Sequence, residues 1–350
     1  MISIEELISE VNRNGGSDLH LVRGLPPKYR KDGRLLNLGE IPLTEEACEE
    51  YARELAGVRY ETIKEIGELD LARSFGSVRV RVNLFRQQGT VSSAIRLLKE
   101  EIPQLSTLGL PPAAMELPGK RHGIVLVTGE TGSGKSTTLA AILQEINRTR
   151  EAHIVTLEDP VEYIYKPDKC IINQREIGRD TVSYGHGLKA VLREDPDIIL
   201  IGEMRDLDTI ETALTAAETG HLVFGTLHTN SAAESVDRIA GVFPEQMQRQ
   251  IQMQLSTSLL AVLSQQLVLE KSGRGRVLAC EMMVVTPAIR NLIREGKTPQ
   301  IANAIATSAA EGSITMDNFL LSLWKRQAIS AATVREAARD LEFVKRKLLT

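Results

Sequence analysis

The chain has 350 residues, of which 42% are hydrophobic, 25% charged and 4% aromatic, a composition that excludes a disulfide-stapled miniprotein, a collagen-like repeat and a long disordered chain. A formal net charge of -4 removes the overall electrostatic case for a nucleic-acid binder and leaves only a local basic groove open. Three cysteines, Cys48, Cys170 and Cys280, stand too far apart for a Cys-x-x-Cys metal site, so a reduced cytoplasmic chain without zinc is expected.

No basic, apolar signal segment opens the chain and no run of 18 apolar residues follows, so any work at a membrane is expected to go through another protein. Residues 4–11 have helical spacing, ended by Gly15-Gly16, and Thr44-Glu45-Glu46 opens a second helix that closes near Gly57. Strand-like pieces fall at 18–22, 28–38 and 78–82, the last alternating valine with arginine. These elements predict a small α+β domain over residues 1–102 with a half-exposed sheet. Between Leu71 and Lys99 there is no acidic residue, while Arg73, Arg79, Arg81, Arg86, Arg96 and Lys99 all occur, which predicts a positive surface suited to an anion. Residues 103–118, centred on Leu108-Gly109-Leu110-Pro111-Pro112, break both periodicities and are expected to link two domains.

From 119 onward, apolar runs at 123–128, 153–157, 198–201 and 222–226 alternate with helical stretches from Lys135, at 188–193 and at 207–219. Short apolar strands separated by helices predict an α/β domain with a doubly wound parallel sheet. A capping box at Ser231-Ala232-Ala233-Glu234, a hairpin around Gly273-Arg274-Gly275 and several helices over 288–349 complete the expected domain, 119–350.

Gly129-Glu130-Thr131-Gly132-Ser133-Gly134-Lys135-Ser136 is a full GxxxxGK[ST] pattern set between an apolar strand and a helix. Its glycines let backbone N–H groups turn toward phosphate oxygens, Lys135 brings a charge to the terminal phosphates and the Ser136 hydroxyl suits Mg²⁺. Thr131, Gly132, Ser133, Gly134, Lys135, Ser136 and Thr137 are the expected nucleotide-binding residues. A carboxylate must stand at the same sheet edge, the carboxyl end of the strands. Asp197 and Glu203 bracket the run 198–201 and are roughly 20 Å apart along an extended chain, so Glu203 alone reaches that edge. Glu158, Asp159 and Glu162 follow the run 153–157 and compete for the role of base toward an attacking water. His221 and His228 bracket the run 222–227, roughly 23 Å apart, which puts His228 at the nucleotide edge as a candidate sensor of the γ-phosphate. Arg193, Arg205, Arg81 and Arg96 are candidates to meet the charge that develops on phosphoryl transfer.

The chain resembles the secretion ATPases of type IV pilus and type II secretion machines, and most of all their pilus-retraction branch. The residues that carry the likeness are Gly16 to Leu21, the phosphate loop, the acidic segment Glu158 to Glu162, Arg193-Glu194-Asp195-Pro196-Asp197 through Gly202-Glu203-Met204-Arg205-Asp206, and Gly220-His221 through Thr226-Leu227-His228-Thr229. Ala288-Ile289-Arg290-Asn291-Leu292-Ile293-Arg294-Glu295 resembles the retraction motif, whereas the longer amino-terminal region and tetracysteine site of the extension ATPases are not seen. The resemblance implies a PAS-like first domain, a RecA-like second domain and a homohexameric, Mg²⁺-dependent ATPase that powers pilus retraction. It also implies a cytoplasmic protein held at the inner membrane by a pilus platform protein, with no nucleic-acid partner. It assigns Glu162 as catalytic acid, Glu203 to the metal, His228 to the histidine box, and Arg81 and Arg96 as arginines given by the first domain. Two rivals share the phosphate loop: a hexameric nucleic-acid translocase, and a pilus-assembly or type II secretion ATPase.

Overall fold

The structure, a computed structural model, describes residues 2–98 and 101–349; Lys99, counted above in the basic segment, lies outside the described residues. The chain forms two compact units, Met1–Ile102 with Pro160–Ile164, and Pro103–Asp159 with Tyr165–Thr350.

The first unit is built on β1 (Asp18–Leu21), β2 (Lys28–Lys31), β3 (Arg34–Asn37), β4 (Glu68–Phe75), β5 (Val78–Gln87) and β6 (Thr90–Leu97). They form one antiparallel sheet in the order β3-β2-β1-β6-β5-β4. Period two decides the faces: Val78, Val80 and Val82 are buried while Arg79 and Arg81 are half-exposed between them. The helix Ile4–Arg13 opens with a reciprocal capping box in which Ser3 Oγ accepts from the Glu6 N–H and Glu6 accepts from the Ser3 N–H. Ile4, Leu7, Ile8 and Val11 share a core with Val80, Val82, Leu84 and, from the helix Glu45–Ala56, Tyr51 and Leu55. Residues 28–38, expected as one strand, are the hairpin β2-β3. Asp32 and Gly33 both take positive φ, 47° and 78°, the backbone of a two-residue turn that matches strand twist.

The second unit is built on β7 (Gly123–Thr128), β8 (His153–Glu158), β9 (Ile171–Glu176), β10 (Ile198–Ile201), β11 (Leu222–Leu227), β12 (Leu259–Leu269) and β13 (Arg276–Val284). Their order is β13-β12-β7-β11-β10-β8-β9, parallel except for the β12-β13 hairpin. Every residue of β7, β10 and β11 is buried, which is why these strands read as unbroken apolar runs. β9 was not anticipated. It lies at the sheet edge with Ile171 exposed and carries Asn173, Gln174 and Arg175, so its sequence resembles a loop.

Three expectations are corrected. The helix expected over 188–193 runs Tyr184–Val191 and is capped by Ser183 Oγ, which accepts from the His186 N–H at 3.2 Å. Its two glycines allow close packing: a Cβ at Gly185 would lie 2.2 Å from Asp208 Oδ2, and one at Gly187 2.9 Å from the Leu157 side chain. Residues 103–118, expected as a linker, group with the second unit as the short turns Leu105–Thr107 and Pro112–Gly119, because Leu105, Ala114 and Leu117 bury there. Pro160–Ile164, expected in the second domain, groups with the first unit, where Arg79 Nε and Nη2 donate to the Val161 carbonyl at 2.9 and 2.7 Å.

Beyond the sheet come the helices Pro287–Arg294, Ile301–Thr307, Met316–Lys325, Ala331–Ala337 and Leu341–Leu349. The last three pack on β12 and β13 through Phe319, Leu320, Val334 and Val344 against Val268 and Ala279.

Candidate nucleotide site

Strand register gathers the site. Thr128 pairs with Leu227, Gly225 with Ile201, and Ile201 with Leu157. Gly129, His228, Gly202-Glu203 and Asp159, just beyond these strand ends, and Glu158, the last residue of β8, therefore share one edge of the sheet. The same register sends Asp197 and His221 to the opposite edge. There Asp197 Oδ2 accepts from the His153 N–H at 2.8 Å, and His221 Nδ1 lies 2.9 Å from the Ala216 carbonyl.

Gly129, Gly132 and Gly134 have φ of 139°, 81° and 93°, so the loop curls through backbone conformations that side chains rarely allow. A Cβ at Gly129 would also come within 2.3 Å of the Gln265 carbonyl oxygen. Gly129→Ala is therefore expected to displace the loop and weaken ADP binding about tenfold or more, measured by calorimetric titration; unchanged affinity would mean the loop tolerates the shift. Gly134 leads directly into the helix Lys135–Thr149, whose first N–H groups and dipole favour an anion at the loop mouth. The Lys135 ammonium donates to the carbonyls of Gly129 at 2.7 Å and Glu130 at 3.0 Å, which places its charge inside the loop. Ser136 and Thr137 occupy the first turn.

At the end of β10, the Glu203 side chain is only 18% exposed, and its Oε1 is shared by Arg205 Nε and by His228 Nε2 at 3.3 Å. That sharing leaves Oε2 as the oxygen able to meet a cation or its water. Glu158 Oε1 accepts from Thr156 Oγ1 at 2.6 Å and from Gln174 Nε2 at 3.2 Å. Tyr184 stands among these acids: burial first, then Asp159, Glu203 and Glu158, raise its phenol well above the ordinary value and keep it a hydrogen-bond donor. The bond to Glu203 likewise raises the Arg205 guanidinium. Hard oxygen donors from Ser136 and Glu203, with phosphates completing the shell, fit Mg²⁺, which takes few protein ligands in such sites. Among the described residues, no group of three or more His, Cys, Asp or Glu side chains forms a metal cluster of its own.

The other expected residues belong to the first unit or to other parts of the second. Glu162 belongs to the first unit and is four residues beyond the end of β8. Arg81 and Arg96 are cross-strand partners in β5 and β6 of that unit, and Arg96 Nε pairs with Asp18 Oδ1 at 3.0 Å. Burial pushes the Asp18 carboxyl up, but the Ser17 hydroxyl and Arg96 outweigh it and hold the group below its ordinary value. Arg193 is exposed after the helix Tyr184–Val191. Of the segment 288–295, Ile289 and Ile293 are buried in the core and Leu292 is half-buried, so its apolar face is packing. Arg290 Nη1 donates to the Ser256 and Thr257 carbonyls, closing the helix Glu245–Ser258, while Ala288, Asn291, Arg294 and Glu295 are exposed.

Sequence reasoning missed a polar group behind the loop: Gln265 and Gln266 on β12, Glu281 on β13, and Arg339. The available signals were Ser264-Gln265-Gln266 interrupting an apolar strand and a lone acid within Leu278-Ala279-Cys280-Glu281-Met282-Met283. Glu281 Oε1 accepts from the Ala232 N–H at 2.9 Å and Oε2 pairs with Arg339, whose other nitrogen donates to the Asn230 carbonyl.

A glycine-rich loop at the end of β7, an inner strand of a mostly parallel sheet, with acids and a histidine at the same edge, defines a RecA-like P-loop protein. The chain belongs to the type II/IV secretion system protein family, whose sequence model matches residues 1–272. It is 44% identical over 340 residues to the "Type IV pilus retractation ATPase PilT" of Pseudomonas aeruginosa, covering 97% of this chain and 98% of that one. It is 43% identical over 311 residues to a "Twitching motility protein" of Neisseria gonorrhoeae, covering 87% of this chain and 83% of that one. Its fold matches the crystal structure of the pilus retraction motor PilT with bound ADP at a TM-score of 0.92 and 43% identity, covering 99% of this chain and 100% of the other.

Proposed function

We propose that the chain is an Mg²⁺-dependent ATP-hydrolysing motor that works as a homohexameric ring and powers type IV pilus retraction. The observation that carries the reading is the alignment of the Gly129 loop, Glu203 and His228 on one sheet edge, in a chain so similar to a retraction ATPase. The loop N–H groups and Lys135 bind the phosphates. Ser136 and Glu203 Oε2 would hold Mg²⁺, which would supply positive charge to offset that of the phosphates. Glu162 orients the attacking water and takes its proton. His228, joined to Glu203, bonds the γ-phosphate and registers its loss. Arg81 and Arg96 serve the nucleotide of a neighbouring chain, where they offset the charge of the transition state. Ala288, Ile289, Arg290, Asn291, Leu292, Ile293, Arg294 and Glu295 form the segment through which hydrolysis is coupled to retraction.

Among the described residues, no helix is long and apolar enough to cross a membrane. The proposed location is the cytoplasmic face of the inner membrane, through a pilus platform protein.

Mixing two inactive variants, Arg96→Ala and Glu203→Ala, tests the shared-site arrangement. Wild-type chemistry returns only where one chain supplies the arginine and another the carboxylate. The expected result is recovery of roughly a quarter of wild-type ATPase activity at equal mixing, since random neighbours make about one site in four intact. No recovery in mixed rings would remove Arg96 from a neighbour's site.

A further inference from the structure

The segment Pro160–Ile164, which carries Glu162, groups with the first unit, while the chain on either side of it, up to Asp159 and from Tyr165, belongs to the second. It has no helix or strand of its own, so its ends depend on side chains for their hydrogen bonds. Both ends meet one side chain, that of Gln174 on β9. Parallel register sets Gln174 beside Thr156 of β8, and period two puts Glu158 on the same face as Thr156. Gln174 Nε2 donates to Glu158 Oε1 at 3.2 Å, ahead of the segment, and Gln174 Oε1 accepts from the Tyr165 N–H at 3.0 Å, after it. A carboxylate only accepts and a backbone N–H only donates, so an amide serves both and stands in one orientation. The attachment points are themselves held: Thr156 Oγ1 donates to the same Glu158 oxygen at 2.6 Å, and Tyr165 is buried. The chain past Tyr165 is fastened by the buried Asn147, on the helix that begins at Lys135. Its Nδ2 donates to the Lys166 carbonyl at 2.9 Å and its Oδ1 accepts from the Asp168 N–H at 3.0 Å.

We propose that Gln174 is a positioning residue for hydrolysis: by joining Glu158 to Tyr165 it closes the base of the loop 159–164 and so limits the placements open to Glu162. The inference rests on the reading of Glu162 as the catalytic acid. Gln174 acts through the backbone at the two ends of the loop and needs no contact with nucleotide or water. Between those ends, Arg79 holds the carbonyl of Val161, the residue before Glu162, so the loop is fastened at three points. A group that takes a proton from water must stand within hydrogen-bond reach of it, and a misplacement of about 1 Å is enough to slow a reaction markedly. A loop whose ends are already joined has fewer conformations to give up when that geometry is reached.

ATP hydrolysis, ADP titration and amide hydrogen exchange of the full chain test this. Gln174→Met keeps the length of the side chain and removes both hydrogen bonds. Its kcat should fall about tenfold while ADP affinity stays within about threefold of wild type, and the Tyr165 amide should exchange about tenfold faster. Gln174→Glu sets one carboxylate against another and should slow hydrolysis at least as much. Adding Glu158→Gln exchanges the two groups: the new amide donates to the new carboxylate, which still accepts from Tyr165, and Thr156, a hydroxyl, can accept as well as donate. That double variant should recover kcat to within about threefold of wild type, a rescue that a merely structural role would not give. Wild-type kcat in Gln174→Met, or a double variant no faster than Gln174→Glu, would overturn the positioning role. Undiminished hydrolysis in Glu162→Gln would instead sink the catalytic reading on which the proposal stands, and exchange at Tyr165 would still report whether Gln174 closes the loop.

Discussion

Glu203→Gln is expected to lower ATP hydrolysis about 100-fold or more while leaving ADP affinity within about threefold of wild type. The carboxylate is nearly enclosed, with one oxygen committed to Arg205 and His228 and the other left for a cation or its water. Glutamine keeps the volume and one acceptor, but it removes the charge that holds Arg205 and exchanges one oxygen for a donor that repels a cation. Phosphate affinity comes from the loop and Lys135, which the substitution does not touch, so the loss should fall on kcat rather than on binding. Steady-state hydrolysis beside a binding titration separates the two. A kcat within about twofold of wild type would remove Glu203 from the metal site, since loss of a metal ligand is never that mild.

Glu281→Ala is expected to destabilise the second unit by about 3 kcal/mol, because Glu281 is 5% exposed and removing one partner of a buried pair strands the other. Here two groups lose their acceptor: the Arg339 guanidinium and the N–H of Ala232, the first residue of the helix Ala232–Gly241. For a unit of this size the loss corresponds to a melting temperature about 6 °C or more lower, read by calorimetry. Arg339→Ala alone should cost less, as its side chain is 32% exposed, and the double variant should cost less than the sum of the two. Additive losses would show that the two side chains act independently. The pair also clasps the loop after His228, so hydrolysis should fall in Glu281→Ala even at temperatures where the variant stays folded.

The two residues show why part of the site was hidden. Glu203 was legible because a strand has a known rise and a parallel sheet has a known active edge, so its place followed from counting along 198–201. Glu281 and Arg339 are 58 residues apart and meet only because β13 lies next to β12 and the last helices fold back over both. Gln266 gave a weak local signal, a polar interruption in an apolar strand, but its orientation depends on the carbonyl of Ala337, 71 residues away. Glycine was ambiguous for a related reason. Gly129 and Gly134 could be read as a turn from their pattern, whereas Gly185 and Gly187 lie ahead of the helical stretch expected at 188–193, inside the observed helix, and are small because Asp208 and Leu157 press against them.

By itself, the sequence determined the alternation of buried strands and helices, the phosphate loop and which ends of the strands carry Glu203 and His228, since each follows from periodicity or spacing along a short stretch. Only the tertiary structure decided that residues 103–118 bury in the second unit, that 160–164 joins the first, and that Gln265, Gln266, Glu281 and Arg339 gather behind the loop. The difference is physical: backbone geometry propagates over a few residues, while burial and pairing of a side chain depend on neighbours that chain folding brings from far along the sequence.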